Sequence, residues 1–265
     1  MTYAIKQHLR GIPRGQWRIN KNSIFARGLI GCWPMQEASV TTARNIAESR
    51  GIQCGDLAQQ GTAQTIVTTE FGTKAIDFND DKYIATLSST PTAGYTVCVW
   101  SKLDNDFDNY YWGMGEGATN KGPHCGRSGN TTYVYNMWGG GTSSWVANMG
   151  DAWSRLVCTY DGTTAIMYIN GINRASVAQT FLTPTNHRFI AGALPSLTNE
   201  MTTPAFDWRL YDRAWSAQEV ALDYSPRGRW DLYRQTNVIQ FPVAAAPGGG
   251  LSIPVAMHQY ARLRA

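Results

Sequence analysis

The chain has 265 residues, of which 43% are hydrophobic, 12% aromatic and 16% charged, so it is long enough to bury a full core. No apolar run approaches the roughly 18 residues of a membrane-spanning helix, which argues against a membrane partner. Residues 1–16, MTYAIKQHLRGIPRGQ, lack the apolar segment of a secretory signal, so we expect no export by that route.

Positive charge is concentrated at both ends of the chain. Residues 1–27 carry a net charge of +6 and residues 225–265 a net charge of +4, which leaves −6 for residues 28–224. Proline and glycine interrupt both end segments and oppose regular secondary structure. We therefore divide the chain into a basic N-terminal arm (1–27), a domain (28–224) and a basic, Pro/Gly-rich C-terminal arm (225–265).

β-Prone segments separated by turn residues follow one another through the domain. The first clear pair, KAIDF and KYIATL, flanks a turn at residues 79–81, and YTVCVWSKL comes next. In TVCVW both strand faces are apolar, because Val97 and Val99 alternate with Cys98 and Trp100. This pattern predicts a strand buried on both sides, in the middle of a layered structure.

The segment WSRLVCTYDGTTAIMYINGINRASV contains three β-prone runs separated by Asp161-Gly162 and Asn170-Gly171. Such dipeptides supply the positive φ angles that hairpin turns require, so the segment predicts a three-stranded meander. Two antiparallel sheets packed face to face would bury strands of this kind.

One short helix is predicted near the end of the domain. In SAQEVALDY, Ser216 can cap the helix N-terminus and Glu219 can complete a capping box, while Pro226 should end the helix. The predicted fold is therefore all-β, a two-sheet antiparallel jelly-roll sandwich with one short C-terminal helix and extended N- and C-terminal arms.

The arms carry the residues that we expect to anchor the protein to other subunits. Segments of this composition do not order themselves in isolation, so ordered arms would pack either on their own acidic domain or on neighbouring chains. Acidic protein surfaces are favoured over nucleic acid, because the charges are dispersed and no nucleic-acid-binding motif occurs. The candidate anchors are Arg10, Arg14, Trp17, Arg18, Arg227, Arg229, Trp230, Phe241 and Leu251.

The five cysteines form no CxxC pair, and Cys98 and Cys158 lie in apolar strand segments. We expect all five to be reduced and structural, as in a protein made in a reducing cytoplasm. The four histidines are scattered and only His124 adjoins a cysteine, so the sequence does not favour zinc.

Five segments occur in the order found in a known family. GLIGCWPM resembles an opening strand, KAIDFNDDKYIAT is similar to a recurring hairpin, and YTVCVWSKLD resembles a central strand that ends in tryptophan. WSRLVCTYDGTTAIMYINGINRAS is close to the most recognisable meander of that family, and FDWRLYDRAWSAQEVALDYS resembles its closing strand and helix. Together they resemble the concanavalin A-like, laminin-G-like jelly-roll family.

This resemblance implies a fold that hosts glycan hydrolases, lectins and assembly modules alike. Retaining glycosidases need two carboxylates about 5 Å apart, and the family-16 type enzymes of this fold carry them in a Glu-x-Asp-x-(x)-Glu strand. No such run occurs, and Glu70, Glu116, Glu200 and Glu219 are each solitary. We therefore expect no catalytic residues and no enzymatic activity.

The acidic run at Asp104, Asp106 and Asp108 is a candidate calcium site, since hard oxygen ligands at alternating positions suit that ion. It departs from an EF-hand loop, because Asn109 stands at the glycine position and Gly115 at the glutamate position. A solvated loop is the favoured interpretation, and no cofactor other than this calcium ion is expected.

A segment rich in aromatic residues, between residues 110 and 149, is the candidate carbohydrate site. Alternation places Tyr133 and Tyr135 on one strand face, and residues 139–141, all glycine, would leave Trp138 prominent. The alternative is that most of these rings fill the interior or a subunit contact. The candidate stacking residues are Trp112, Tyr133, Tyr135, Trp138 and Trp145.

The segment SPRGRWDLYRQ is similar to the one that follows such domains in structural proteins of tailed bacteriophages. This resemblance implies a non-enzymatic virion protein, assembled in the host cytoplasm, with a capsid decoration or cementing role. Its partners would be the major capsid protein or other virion proteins, and further copies of itself. The alternative is a lectin-like carbohydrate-binding module of a fibre or tail component that recognises host-surface or mucosal glycans.

Overall fold

Two antiparallel sheets lie face to face and enclose the main hydrophobic core. The structure is a computed structural model that describes residues 18–36, 41–61, 64–69, 73–103, 109–129, 131–149, 152–226 and 228–234. The eight strands of the first sheet are β2 (Leu29–Trp33), β5 (Thr65–Thr68), β6 (Lys74–Asp77), β8 (Tyr95–Leu103), β13 (Ala152–Tyr160), β14 (Thr164–Ile169), β15 (Ile172–Ala178) and β17 (Pro204–Tyr211). Their order is β15-β14-β13-β8-β17-β6-β5, and β2 pairs with the second half of β17.

The second sheet also has eight strands, namely β3 (Thr42–Ala43), β4 (Leu57–Gln59), β7 (Tyr83–Thr86), β9 (Tyr110–Met114), β10 (Pro123–Ser128), β11 (Thr132–Met137), β12 (Thr142–Val146) and β16 (Arg188–Ala191). Their order is β12-β11-β10-β9-β16-β7-β4-β3. Strands β12 and β15 are the edge strands on the same side of the sandwich, and they contact each other without pairing.

Three smaller elements complete the described chain. A two-stranded sheet joins β1 (Arg18–Ile19) to β18 (Tyr233–Arg234), and a short 3-10 helix covers Ile24–Ala26. Helix α1 (Ala217–Tyr224) begins with the predicted capping box, in which Ser216 and Glu219 bind each other's backbone N–H groups. The predicted all-β sandwich with one short C-terminal helix is confirmed.

Strand β8 is buried on both faces, as its sequence predicts. Val97 and Val99 belong to the main core between the sheets, whereas Cys98 belongs to a second apolar cluster on the outer face of the first sheet. All three residues are at most 1% exposed. The central position of β8 between β13 and β17 accounts for this burial.

The predicted meander is formed by β13, β14 and β15. Its two turns contain residues with positive φ, namely Gly162 at +100°, Asn170 at +55° and Gly171 at +79°. Consecutive positive φ angles at Asn170 and Gly171 match the right-handed twist of the strands that they join. The register is regular from Leu156 opposite Ile169 to Tyr160 opposite Ala165.

The predicted hairpin of KAIDF and KYIATL is wrong. Strand β6 belongs to the first sheet and β7 to the second, so residues 79–81 carry the chain from one sheet to the other. Asn79 and Asp80 do have positive φ, at 38° and 59°. The turn chemistry was therefore predicted correctly, but the pairing partners of both strands are distant in sequence.

Helix α1 and the segments next to it cover the outer face of the first sheet, above a buried ion-pair network. Asp223 on α1 accepts hydrogen bonds from Arg155 Nε and Arg209 Nη1, both at 2.8 Å. Asp207 lies at a bulge of β17 with φ +57° and pairs with Arg209 at 2.7 Å. Tyr233 Oη donates a hydrogen bond to Asp207 as well. The network thus joins β13, β17, α1 and β18.

Burial alone would raise the pKa of the Asp223 carboxyl, but the guanidinium groups of Arg155 and Arg209 hold it below its ordinary value. Arg229 stacks on the Trp100 ring, with Cζ 4.5 Å from the ring centroid, and its burial lowers its pKa to about 10.

The described parts of both predicted arms pack on their own domain. Arg229 is 2% exposed and lies against Trp100, while Trp230 packs against the apolar clusters of the domain. Arg229 is therefore not free to anchor another subunit, which corrects that prediction, because its guanidinium is buried on Trp100. Trp230 is only partly buried, and its role as an anchor stays a prediction. Arg18 is exposed on β1. The remaining candidates, Arg10, Arg14, Trp17, Arg227, Phe241 and Leu251, lie outside the described residues.

All five cysteines are free, and four of them are buried. Within the described residues, no helix has both the length and the apolarity needed to cross a membrane.

Candidate functional site

Three loops meet at one end of the sandwich and surround Trp138. They are the β9–β10 loop (115–122), the β11–β12 turn (138–141) and the segment that follows β15 (179–182). The Asn120 N–H donates to the Trp138 carbonyl at 2.8 Å, and the Leu182 N–H donates to the Asn120 carbonyl at 2.7 Å. Main-chain hydrogen bonds therefore fix these loops to one another, and we call this region the loop end.

Trp138 is the partly exposed residue of the β11–β12 turn. Gly139, with φ +65°, allows the chain to reverse directly after it, and the Gly140 N–H closes the turn on the Met137 carbonyl. The indole lies edge-on to the His124 imidazole, with the ring centroids 6.0 Å apart. Its position is thus set by both the turn and an aromatic neighbour, which leaves part of the ring open to solvent.

A pocket of about 260 Å³ borders the same turn and is lined by Asn120, Gly141, Ala178, Gln179 and Thr180. We call it the amide pocket. The Gln179 side chain is 6% exposed and donates through Nε2 to the Gly141 carbonyl at 2.7 Å. Its Oε1 atom is buried without a hydrogen-bond partner. A buried acceptor without a donor costs free energy, so a ligand hydroxyl in the pocket would satisfy Oε1 once the Gln179 side chain turned toward it.

A polar row crosses the outer face of the second sheet below Trp138. His124 on β10 lies opposite Asn136 on β11, which lies opposite Thr142 on β12. Asn136 Oδ1 is buried without a partner, and Thr142 is exposed. The turn of Trp138 therefore follows Asn136 in the chain and contacts Gln179 through the Gly141 carbonyl, and each of these two amides has a buried oxygen without a hydrogen-bond partner.

His124 is an uncharged member of this row. It is 6% exposed, and burial lowers the pKa of its imidazole to about 4, although the hydrogen bond to Gly122 acts in the opposite direction. Nδ1 donates to the Gly122 carbonyl at 2.9 Å, which requires the proton on Nδ1 and leaves Nε2 as an acceptor. The row therefore offers neutral hydrogen-bonding groups at physiological pH.

Three of the five predicted stacking residues are buried, which corrects that part of the prediction. Trp112, Tyr133 and Tyr135 are each 0% exposed in the main core, and Tyr135 Oη donates to Tyr95 Oη at 2.6 Å. The alternation that places Tyr133 and Tyr135 on one face is correct, but this is the face that points toward the other sheet.

Trp145 is partly exposed, but other side chains already pack against its ring. The Arg174 guanidinium lies over it, with Cζ 4.5 Å from the ring centroid, and the Tyr133 ring is 5.7 Å away at 33°. A sugar would have to displace Arg174 to stack there. Among the five predicted platforms, Trp138 is thus the one that is partly exposed and has no guanidinium over its ring; it packs against Tyr110, Val134 and Leu194.

The candidate calcium ligands Asp104, Asp106 and Asp108 lie outside the described residues. Within the described ranges, no group of three or more His, Cys, Asp or Glu side chains is arranged to hold a metal ion.

Several carboxylates in the described chain are engaged by neighbouring donors. Asp207 and Asp223 are 0% exposed and paired with arginines. Asp81 is 1% exposed and accepts from the side-chain amides of Gln59 and Gln64. These groups stabilise the fold, and the absence of enzymatic activity stays a prediction.

Sequence reasoning missed Asn120, His124, Asn136 and Gln179 at this end of the sandwich. Isolated amides in loops carry no spacing signal, and His124 was considered only as a zinc ligand. A usable signal was the alternation along β11, because it places Asn136 on the face opposite Tyr133 and Tyr135, whose rings lie in the core.

A family model described as the Concanavalin A-like lectin/glucanases superfamily matches residues 77–221, more than half of the chain. A comparison with curated proteins gave no match.

Many solved structures share the fold at low sequence identity. Domain 4 of the extracellular arabinanase AbnA from Geobacillus stearothermophilus, in complex with arabinotriose, is 18% identical with a TM-score of 0.55, over 74% of this chain and 98% of that one. The receptor-binding domain of botulinum neurotoxin C/D mosaic serotype is 14% identical with a TM-score of 0.53, over 74% of this chain and 51% of that one.

The ligand-binding domain of botulinum neurotoxin serotype D, in complex with N-acetylneuraminic acid, is 12% identical with a TM-score of 0.55, over 75% of this chain and 51% of that one. This chain therefore spans about half the length of the matched toxin domains.

Proposed function

The chain belongs to the concanavalin A-like lectin/glucanase superfamily, and from this membership we propose that it is a lectin-like carbohydrate-binding module with its ligand site at the loop end. One observation carries the proposal: the turn that presents Trp138 borders the amide pocket, and two amides next to this turn, Asn136 and Gln179, each have a buried oxygen without a hydrogen-bond partner.

A sugar has apolar C–H faces and hydroxyl groups around its rim, so it needs an aromatic face together with neutral hydrogen-bonding groups. Trp138 supplies the ring, and the amide pocket and the polar row supply acceptors and donors. His124 stays neutral because burial lowers its pKa. The sugar complexes of AbnA domain 4 and of the serotype D toxin domain support the same interpretation.

Replacing Trp138 by alanine should weaken glycan binding 10- to 100-fold, about 1.4 to 2.8 kcal/mol, because a tryptophan at the centre of a small interface contributes much of its binding energy. The measurement is a glycan array of neutral and acidic oligosaccharides with the full chain, followed by calorimetric titration of any glycan that binds.

The matched control is Trp230→Ala, which removes another partly buried tryptophan that packs under the outer cover of the first sheet. It should leave glycan affinity unchanged even if it lowers stability. Absence of any sugar-dependent signal, or an equal loss of affinity in both variants, would contradict the proposed site.

A second candidate function is that of a structural protein in the virion of a tailed bacteriophage, most simply a capsid decoration or cementing protein that displays this domain. The positive charge of residues 1–27 and 225–265, and the resemblance of residues 225–235 to phage structural proteins, support it. The partners would be the major capsid protein or another virion protein, and copies of the chain would associate with one another.

Deletion of residues 1–17 and 236–265 tests this second candidate, since residues 18–27 and 228–234 pack on the domain. The shortened chain should fold, with the thermal transition of the full chain, but should no longer join purified particles. Incorporation at the level of the full chain would rule out anchoring through the deleted segments.

A further inference from the structure

Arg174 is placed beside Trp145 by an irregularity in the first sheet. In the pairing of β14 with β15, Met167 lies opposite Ala175 and Tyr168 opposite Asn173, so Arg174 has no partner residue on β14. Such a bulge re-aims the side chain of the extra residue. Here it directs the guanidinium onto the indole of Trp145 on β12. We call the line along which the edge strands β12 and β15 contact each other the seam.

Among the described residues, the guanidinium of Arg174 has no anionic partner. No described carboxylate forms an ion pair with it, and its Nε atom is buried without a hydrogen-bond partner. A guanidinium stacked on an indole keeps its charge, its planar set of donors and a restricted orientation. This arrangement suits a carboxylate, which can accept two parallel hydrogen bonds from one arginine.

The seam connects this arginine with the loop end. Gly141 of the amide pocket directly precedes β12, and Trp145 is four residues further along the chain, which corresponds to roughly 13 Å in an extended strand. Alongside, Gln179 directly follows β15, which contains Arg174. The amide pocket and Arg174 thus lie at the two ends of one seam.

The composition of the seam distinguishes between acidic ligands. Arg174 is the one charged residue in β12 and β15, whose other polar groups are hydroxyls and an amide. An acidic peptide carries several charges and is matched by several cations. A ligand with many hydroxyl groups and one carboxylate for each sugar unit fits this surface better.

We infer that Arg174, held on Trp145, binds the carboxylate of an acidic sugar in a glycan that extends along the seam from the amide pocket. This inference rests on the proposed carbohydrate-binding function. It adds that the glycan is negatively charged.

The test compares ligands that differ in charge, using the full chain and isothermal titration. The pairs are tetragalacturonate with its methyl ester, and sialyllactose with lactose. For the unmodified chain, the acidic member of at least one pair should bind at least tenfold more tightly than the neutral one. This ratio should fall in 0.5 M salt, because the pair is partly exposed.

In Arg174→Gln the ratio of acidic to neutral affinity should fall to twofold or less, and Arg174→Lys should restore it only in part, because lysine lacks the planar fork. Arg50→Gln removes an exposed arginine elsewhere and should leave the ratio unchanged. Thermal unfolding of each variant verifies that it is folded.

Trp138→Ala separates this inference from the proposed function, since it should weaken both members of a pair and keep their ratio. The inference would be overturned if acidic and neutral glycans bound with equal affinity, or if the ratio of acidic to neutral affinity stayed the same in Arg174→Gln. The proposed function would stand in both cases. Triglutamate serves as an acidic peptide. If its affinity fell in Arg174→Gln by as much as the affinity of the acidic sugars, the inference would also be overturned. Failure of all sugars to bind would overturn both.

Discussion

Replacing Asp223 by alanine is expected to lower the free energy of unfolding by about 3 to 5 kcal/mol, since removing one partner leaves an uncompensated buried charge. The carboxylate is 0% exposed and accepts from Arg155 and Arg209, which are at most 1% exposed. Urea denaturation at pH 7 measures the change.

Asp231→Ala is the control for this experiment, because it removes an exposed aspartate from the neighbouring segment. It should change the free energy of unfolding by less than about 0.5 kcal/mol. A loss below about 1 kcal/mol in Asp223→Ala would mean that the network does not hold α1 on the first sheet.

Lowering the pH from 7 to 4 should destabilise the protein through His124. The pKa of this group is about 4 in the folded chain, against 6.5 for an unperturbed histidine, so the unfolded chain binds the proton first. Stability then falls with pH between these two values, by up to about 3 kcal/mol for this group. Above pH 6.5 both states are neutral and the contribution is constant.

His124→Gln removes this titration and keeps a donor for the Gly122 carbonyl. The urea concentration at the midpoint of unfolding is measured as the pH is lowered from 7.5 to 4.5. It should fall more steeply for the unmodified chain than for the variant. Parallel pH profiles would show that His124 is already protonated in the folded chain, or that it is open to solvent.

The elements that sequence analysis predicted correctly depend on local chemistry. The turns at Gly162 and Asn170-Gly171 and the capping box of Ser216 with Glu219 each lie within a few residues. The burial of β8 follows from an apolar pattern on both faces of one strand. The partners of β6 and β7 were not predicted correctly, because the choice between two sheets depends on contacts far along the chain.

The site was predicted only in part, for a related reason. Alternation shows that Tyr133 and Tyr135 share a face, but it does not show whether an aromatic face points into a core or toward solvent. Trp138 was identified because three glycines follow it, which is a local signal. Arg174 could not be identified, since its position depends on a bulge that the sequence INRASVA does not reveal.

The central claim is that a glycan binds where Trp138, the polar row and the amide pocket meet. The most direct test is protein-observed NMR, in which a glycan that binds on the array is titrated into the full chain labelled with ¹⁵N. We expect the largest shifts at the Trp138 indole N–H and at the side-chain amides of Asn136 and Gln179. Shifts confined to the face covered by α1, or none at saturating glycan, would contradict the account.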